Sequence, residues 1–360
     1  MNGYKITLRK ILLVILLVNI SLFIVNCSKK FNPEPLSKST RQNLAYLQQD
    51  PQFVMYFNFK KMRETEFWKK FMSDSIFNSE RNFGSFLNIL KNATGASISN
   101  GIDELYFSNS WIGDNALLIK GTFDRNKVND YIKSDTQYTK ISYPGDVTVY
   151  NLVPMHFYFY FKDDFTVCAS NYLPQIESSL NITDTSKAGL LKNDFSIAQI
   201  ERIKNKEHLW MMSSQKLFIR GIFENLADMG GNKSLKPNLP GGESPDSAFT
   251  PPDSNSSGEF DLTNLYSKIN SVSFSLKMTD DLGLSMQNEC TDEPGASELK
   301  NKMDAVIALA KLSAQFSKKE QGPMIKILDK VDTRVYDKTL LIETTLTDQQ
   351  ITELRKQKVF

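Results

Sequence analysis

Apolar and polar positions fall into three regimes along this chain. An almost unbroken apolar run, Ile11 to Val25, is interrupted only by Asn19 and Ser21. A long body follows in which apolar residues recur at every second position or at helical spacing, and that body is split by a polar stretch rich in Gly, Pro, Ser and Asn, Met229 to Phe260. In "FVMYFNF" the residues Phe53, Met55, Phe57 and Phe59 share one side and Val54, Tyr56 and Asn58 the other, the period of two that predicts a strand. A short helix in "RQNLAYLQQ" and a Pro-marked turn precede it, and Phe67, Trp68 and Phe71 predict a helix packed on the sheet.

The same alternation continues in pairs. "IDELYFSNSW" and "NALLIKGTF" predict two strands, and Asp124 then has the chemistry of an N-cap for a helix carrying Val128, Tyr131 and Ile132. "VTVYNL", "HFYFYFKD" and "FTVCAS" predict three more strands before a short helix in "NYLPQIESSL". Beyond the polar stretch, "INSVSFSLKMTDDLGLSMQNEC" predicts a hairpin turning at Asp280-Asp281-Leu282-Gly283. An amphipathic helix in "ASELKNKMDAVIALAKLSAQF" follows, then two strands in "TRVYDKTLLIETTL" and a helix that Thr347 and Gln350 open as a capping box. Strand, strand, helix is thus a repeated order. It predicts an α+β fold with two related halves of antiparallel sheet and packed helices, joined by a disordered linker, since a segment of that composition buries too little apolar surface to offset chain ordering.

The apolar run is short for a spanning helix, which needs about 20 predominantly apolar residues. With Lys5, Arg9 and Lys10 before it and Cys27 after it, the order is that of a secretory signal, basic region then apolar region then processing site. The residues Ile24-Val25-Asn26-Cys27 resemble a lipobox, at which bacterial lipoproteins are acylated on the cysteine and cut in front of it, although Asn26 replaces the usual small residue. The resemblance implies that Cys27 becomes a lipidated amino terminus, held to a membrane by acyl chains each methylene of which adds about 0.8 kcal/mol on burial. Ser28, where an Asp would resemble an inner-membrane retention signal, implies the outer membrane; an uncleaved signal anchor in the inner membrane is the alternative. The expected organisation is a signal peptide over 1–26, the lipidated cysteine and tether over 27–43, an α+β domain over 44–228, the linker over 229–260 and a second α+β domain over 261–360. The body also resembles bacterial exported proteins with repeated β-rich α+β units of unknown function, through "FVMYFNFKKM", "LLIKGTFDRNKVNDYI" and "VSFSLKMTDDLGLSMQNECTDEPGASELKNKM". No functional residues come with that likeness.

Charge adds an exclusion. Removing Lys5, Arg9 and Lys10 from the whole-chain formal charge of +2 leaves −1, which is no electrostatic footprint for nucleic acid. Besides Cys27 there are only Cys168 and Cys290; Cys168, within "DFTVCAS", is expected as a buried inert thiol, with a disulfide to Cys290 as the alternative that an oxidising compartment allows.

Candidate chemistry is sparse. Neither His156 nor His208 stands in a catalytic motif, no G-x-S-x-G elbow occurs, and no H-E-x-x-H or paired C-x-x-C offers a metal site. The acidic turns "TDDLG", "KDDF" and "DEPG" lack the alternating spacing of a calcium loop. No catalytic residue, metal or cofactor is therefore expected. The sharpest binding candidate is "HFYFYFKD", where alternation would set His156, Tyr158 and Tyr160 on one face, open to a ligand unless a helix covers it. The expectation is a non-enzymatic cell-envelope lipoprotein, a binding or scaffold module with an envelope protein partner and a membrane contact through lipid on Cys27. The alternative is a periplasmic carrier or sensor of a lipid-like ligand behind the Phe and Met faces. A hydrolase would need His156 or His208 beside a nucleophile and a carboxylate.

Overall fold

The computed structural model describes residues 33–72, 81–110, 113–134, 137–229, 266–316 and 323–356. The expected signal peptide, Cys27, the start of the tether and nearly all of 229–260 lie outside them. In chain order the first part holds α1 (Lys38–Leu44), β1 (Phe53–Asn58), α2 (Phe59–Arg63), α3 (Glu66–Phe71), α4 (Arg81–Thr94), β2 (Ile102–Asn109), β3 (Asn115–Gly121) and α5 (Arg125–Ser134). Then come β4 (Tyr138–Tyr143), β5 (Val147–Leu152), β6 (Phe157–Asp163), β7 (Thr166–Ser170), α6 (Leu173–Leu180), α7 (Asp194–Arg202), β8 (Leu209–Ser213) and α8 (Lys216–Met229). The last part holds β9 (Ile269–Met278), β10 (Leu282–Cys290), α9 (Glu293–Phe316), α10 (Pro323–Leu328), β11 (Asp332–Tyr336), β12 (Thr339–Leu346) and α11 (Asp348–Lys356).

Local chemistry sets several of these boundaries. The first strand stops one residue earlier than alternation predicts, because the Asn58 side chain accepts the N–H of Lys61 and caps α2 at Phe59. Thr65 caps α3 by accepting from Trp68 N, and Asp124 accepts from the N–H groups of Asn126 and Lys127 ahead of α5. Thr347 and Gln350 form the reciprocal capping box of α11: Thr347 N donates to Gln350 Oε1 at 2.9 Å and Gln350 N to Thr347 Oγ1 at 3.4 Å. The β9–β10 turn is tighter than predicted, closing at Thr279–Asp281 so that Leu282 and Gly283 already lie in the strand. The apolar pattern did not announce β4, α4, α7 or α8; in β4 the residues Thr139, Lys140 and Ser142 are exposed, so its alternation is faint.

Among the described residues the strands join one 12-stranded sheet in the order β11-β12-β10-β9-β8-β1-β2-β3-β7-β6-β5-β4. Every neighbouring pair is antiparallel. Two related units are visible in that order. In one, β1 pairs with the hairpin β2–β3, and the second strand of a later hairpin, β7 of β6–β7, pairs with β3. In the other, β8 pairs with the hairpin β9–β10, and β12 of β11–β12 pairs with β10. The hairpin β4–β5 extends the first unit at its outer edge. The units meet at β1 and β8, which are antiparallel neighbours, so a local two-fold axis between them relates the two topologies. By this reckoning the segment 229–260 falls inside the second unit, between β8 and β9.

Helices cover both sheet faces. On one face α1, α6 and α7 bury Val54, Tyr56, Tyr106, Leu118, Tyr160, Cys168 and Trp210 in a core with Leu44, Leu47, Ile176 and Ile200. On the other, α2 to α5 cover Phe57, Leu105, Ile119 and Phe159, while α8 and α9 cover Val272, Cys290 and Leu340. The units share these cores: Met278, Leu346 and Ile351 of the second lie in the cluster that holds Phe67 and Trp68 of the first. Each large apolar side chain so enclosed contributes on the order of 1.5–3 kcal/mol.

Candidate functional site

The tyrosine-bearing strand is covered, and its candidate residues are not gathered. Residue His156 lies before β6, in left-handed conformation (φ 46°) at the end of a 3-10 turn, Val153–Met155, and is exposed. Pro154 in that turn breaks the strand period that would have carried His156 onto the Tyr face. Tyr158 is half-buried, and Tyr160 is buried beneath α6, its hydroxyl 3.0 Å from Ser179 Oγ. Burial above all pushes the Tyr160 phenol far above its ordinary value, with Cys168 adding to the effect, so it stays a neutral hydrogen-bonding group. The thiols of Cys168 and Cys290 are both free and are pushed up to about 12, chiefly by burial. Neither is a nucleophile at neutral pH.

A second aromatic cluster lies where β8, β1 and β2 run side by side. Trp210, Tyr56 and Tyr106 are cross-strand neighbours, with ring centroids 5.6 Å apart for Tyr56–Trp210 and 4.8 Å for Tyr56–Tyr106. The two phenols converge on Glu104, which accepts from Tyr106 Oη at 3.1 Å and, less closely, from Tyr56 Oη at 3.4 Å, while Asn58 Nδ2 donates to Tyr56 Oη at 2.9 Å. Burial raises both phenols well above the usual tyrosine range. The arrangement orders the side chains, and the raised phenols stay neutral at ordinary pH. Alternation in "FVMYFNF" sets Tyr56 on the face away from its Phe neighbours, but it does not show that β1 and β2 pair in a register that stacks Tyr56 on Tyr106.

A row of half-buried apolar side chains lies on the opposite face. Cross-strand register places Phe107, Met55, Met211, Phe274, Met286 and Ile342 in one row running over β2, β1, β8, β9, β10 and β12. At roughly 4.8 Å per strand the row is about 24 Å long. All six side chains are only half-buried, whereas Val272, Asn288 and Leu340 in the next row, under α9, are fully buried. No side chain in the row can form a strong hydrogen bond, and methionine adapts its shape to what it touches. Met or Phe at alternate positions of separate strands carries the composition of this surface in the sequence; the row itself exists only after pairing.

The remaining histidine, His208, precedes β8. Its carbonyl accepts the N–H of Asn58 at 2.7 Å and its Nδ1 accepts the N–H of Met278 at 3.1 Å. No serine or cysteine is among its hydrogen-bond partners. Among the described residues there is no group of three or more His, Cys, Asp or Glu side chains placed to hold a metal, and no helix long and apolar enough to cross a membrane.

Buried polar contacts on the tyrosine face tie α7 to the second unit. Gln199 accepts from Ser271 Oγ at 2.8 Å, and Gln287 bridges Arg202 O and Lys204 N at 3.1 and 3.0 Å. Glu289 Oε1 stands 3.2 Å from both Arg202 Nε and Lys338 Nζ, and Glu289 Oε2 accepts from Thr339 Oγ1 at 2.5 Å. The Arg202 Nε contact lacks hydrogen-bond alignment and is coulombic.

No family model matches the chain, and no curated protein does. Among solved structures it is similar to crystal forms of the protein TP0453. Form III is 11% identical, with 86% of this chain and 95% of that chain covered and a TM-score of 0.41. Form IV is 9% identical over 90% and 96%, with a TM-score of 0.44, and form I is 8% identical over 86% and 94%, also at 0.44. At that identity and score the likeness says nothing of function.

Proposed function

We propose that this chain is a lipid-anchored protein of the bacterial cell envelope, fastened through Cys27, that acts as a non-enzymatic binding or scaffold module. The observation that carries the reading is the order of basic residues, apolar run and Cys27 ahead of a broad helix-covered sheet. Two outer strands support the scaffold role: among the described residues β4 and β11 each pair with one other strand, β5 and β12, and a sheet's outer strand is where another chain can add. Mass spectrometry of the protein taken from its native membrane in mild detergent tests it. A diacylated fragment beginning at Cys27, with a stoichiometric protein partner, is the expected result. An intact mass that retains Met1 would remove the lipoprotein reading, and the processed fragment with no bound protein would remove the scaffold.

A second reading, a carrier of a lipid-like ligand, is favoured by the half-buried Phe-Met row. Half of a bilayer's hydrocarbon core is about 15 Å, so one acyl tail fits along a row of about 24 Å. The same experiment separates the two: a lipid held at one per chain in wild type, and lost in a Met211→Glu variant that still folds, supports the carrier. A lipid-free protein counts against it.

A further inference from the structure

The two units meet at the β1–β8 pair, and His208 stands at the Asn58 end of that seam, just ahead of β8. His208 binds both neighbours at once, β1 through its carbonyl and β9 through its ring. Beside it Phe67 N donates to Thr279 O at 3.1 Å, so the same end of the seam also holds α3 against the β9–β10 turn. An imidazole nitrogen accepts an N–H only while it carries no proton. Once protonated, Nδ1 is a donor facing the Met278 N–H, another donor.

We propose that His208 is an acid-released fastener that holds β9 to β8 inside the second unit, at the end of its seam with the first. The ring is neutral near pH 7: burial above all, then the positive charges of Lys61 from α2 and Lys277 from β9, keep its pKa below the ordinary histidine value, against a smaller opposing effect of Glu64 just past α2. From β1 the neighbouring group is Asn58, which is uncharged. Because the folded state holds the lowered pKa, the stabilisation is complete above the unfolded histidine value of about 6.5 and is lost as pH falls through the folded one. Release begins at Met278, a buried member of the core shared with Phe67 and Trp68, and reaches the half-buried cross-strand pair Leu209–Leu276 next to it. Acid therefore loosens the sheet at one defined place, whichever reading of function holds.

Amide hydrogen exchange at Met278, corrected for the intrinsic pH dependence, and an NMR titration of the His208 ring between pH 8 and 5 test this on the intact chain. The expected result is a loss of Met278 protection of at least about fivefold, the worth of one hydrogen bond, with the midpoint of the ring titration. His208→Asn places a non-titrating carbonyl oxygen near the position of Nδ1 and should keep the protection, whereas His156→Asn, in the exposed turn, should leave the wild-type response intact. Protection that is unchanged while the ring titrates, or an equal loss in His208→Asn, would overturn the proposal. If His208→Asn does not fold, coincidence of the two wild-type midpoints decides by itself.

Discussion

Glu289 is a nearly buried carboxylate, 5% exposed, between Arg202 and Lys338, with Thr339 hydroxyl as its further partner. Removing its charge leaves two cations facing each other in a site that water reaches only partly. Glu289→Gln should therefore lower stability by about 2 kcal/mol, less than the 3–5 kcal/mol of a fully buried pair because both cations are partly exposed, and urea unfolding will measure it. Gly189 is a steric case: its φ is +48° and an added Cβ would stand 2.1 Å from Ala45 O and 2.4 Å from Leu47 O. Gly189→Ala should cost at least about 2 kcal/mol, seen as a lowered thermal midpoint, since backbone atoms on both sides must move. At this scale the sequence showed which residues are apolar but not which are covered. Tyr160 looked like a candidate ligand contact until α6 was laid over it, and His156 left the strand because Pro154 sets a turn before β6.

Elements were most legible where periodicity and capping coincided. Hairpins β2–β3, β6–β7, β9–β10 and β11–β12 and the helices after them follow the alternation and the Asp124 and Thr347 caps. Thr347→Ala should destabilise by about 1 kcal/mol, because it leaves the Gln350 N–H without its capping oxygen; a change under a few tenths in chemical denaturation would show that the cap contributes little. The edge strand β4 and helix α7 were harder to see. Each is held by contacts distant in sequence, β4 by β5, and α7 by Ser271, Gln287 and Glu289, so their own residues carry only part of the signal.

For the whole molecule the shared core and the β1–β8 pairing predict cooperative behaviour. Trp68 and Trp210 report on opposite sheet faces, and their fluorescence should change with the same urea midpoint as the far-ultraviolet circular dichroism. Two well-separated transitions would mean that the units unfold independently. Acidification from pH 8 to 5 should lower the midpoint in wild type more than in His208→Asn, because the unfolded chain takes up a proton that the folded His208 resists; equal slopes would assign the acid sensitivity to other groups.

Sequence by itself determined the α+β class, the strand–strand–helix order and the inward face of most strands, since a period of two or of 3.6 is written in consecutive residues. It also contained the basic, apolar and cysteine order from which the envelope reading is argued. Only tertiary structure decided that β1 and β8 join two units in one sheet, that Phe107, Met55, Met211, Phe274, Met286 and Ile342 form a row, and that His208 reaches Met278. Those features depend on strand register between segments far apart in the chain, and alternation within a strand fixes its faces but not its partner.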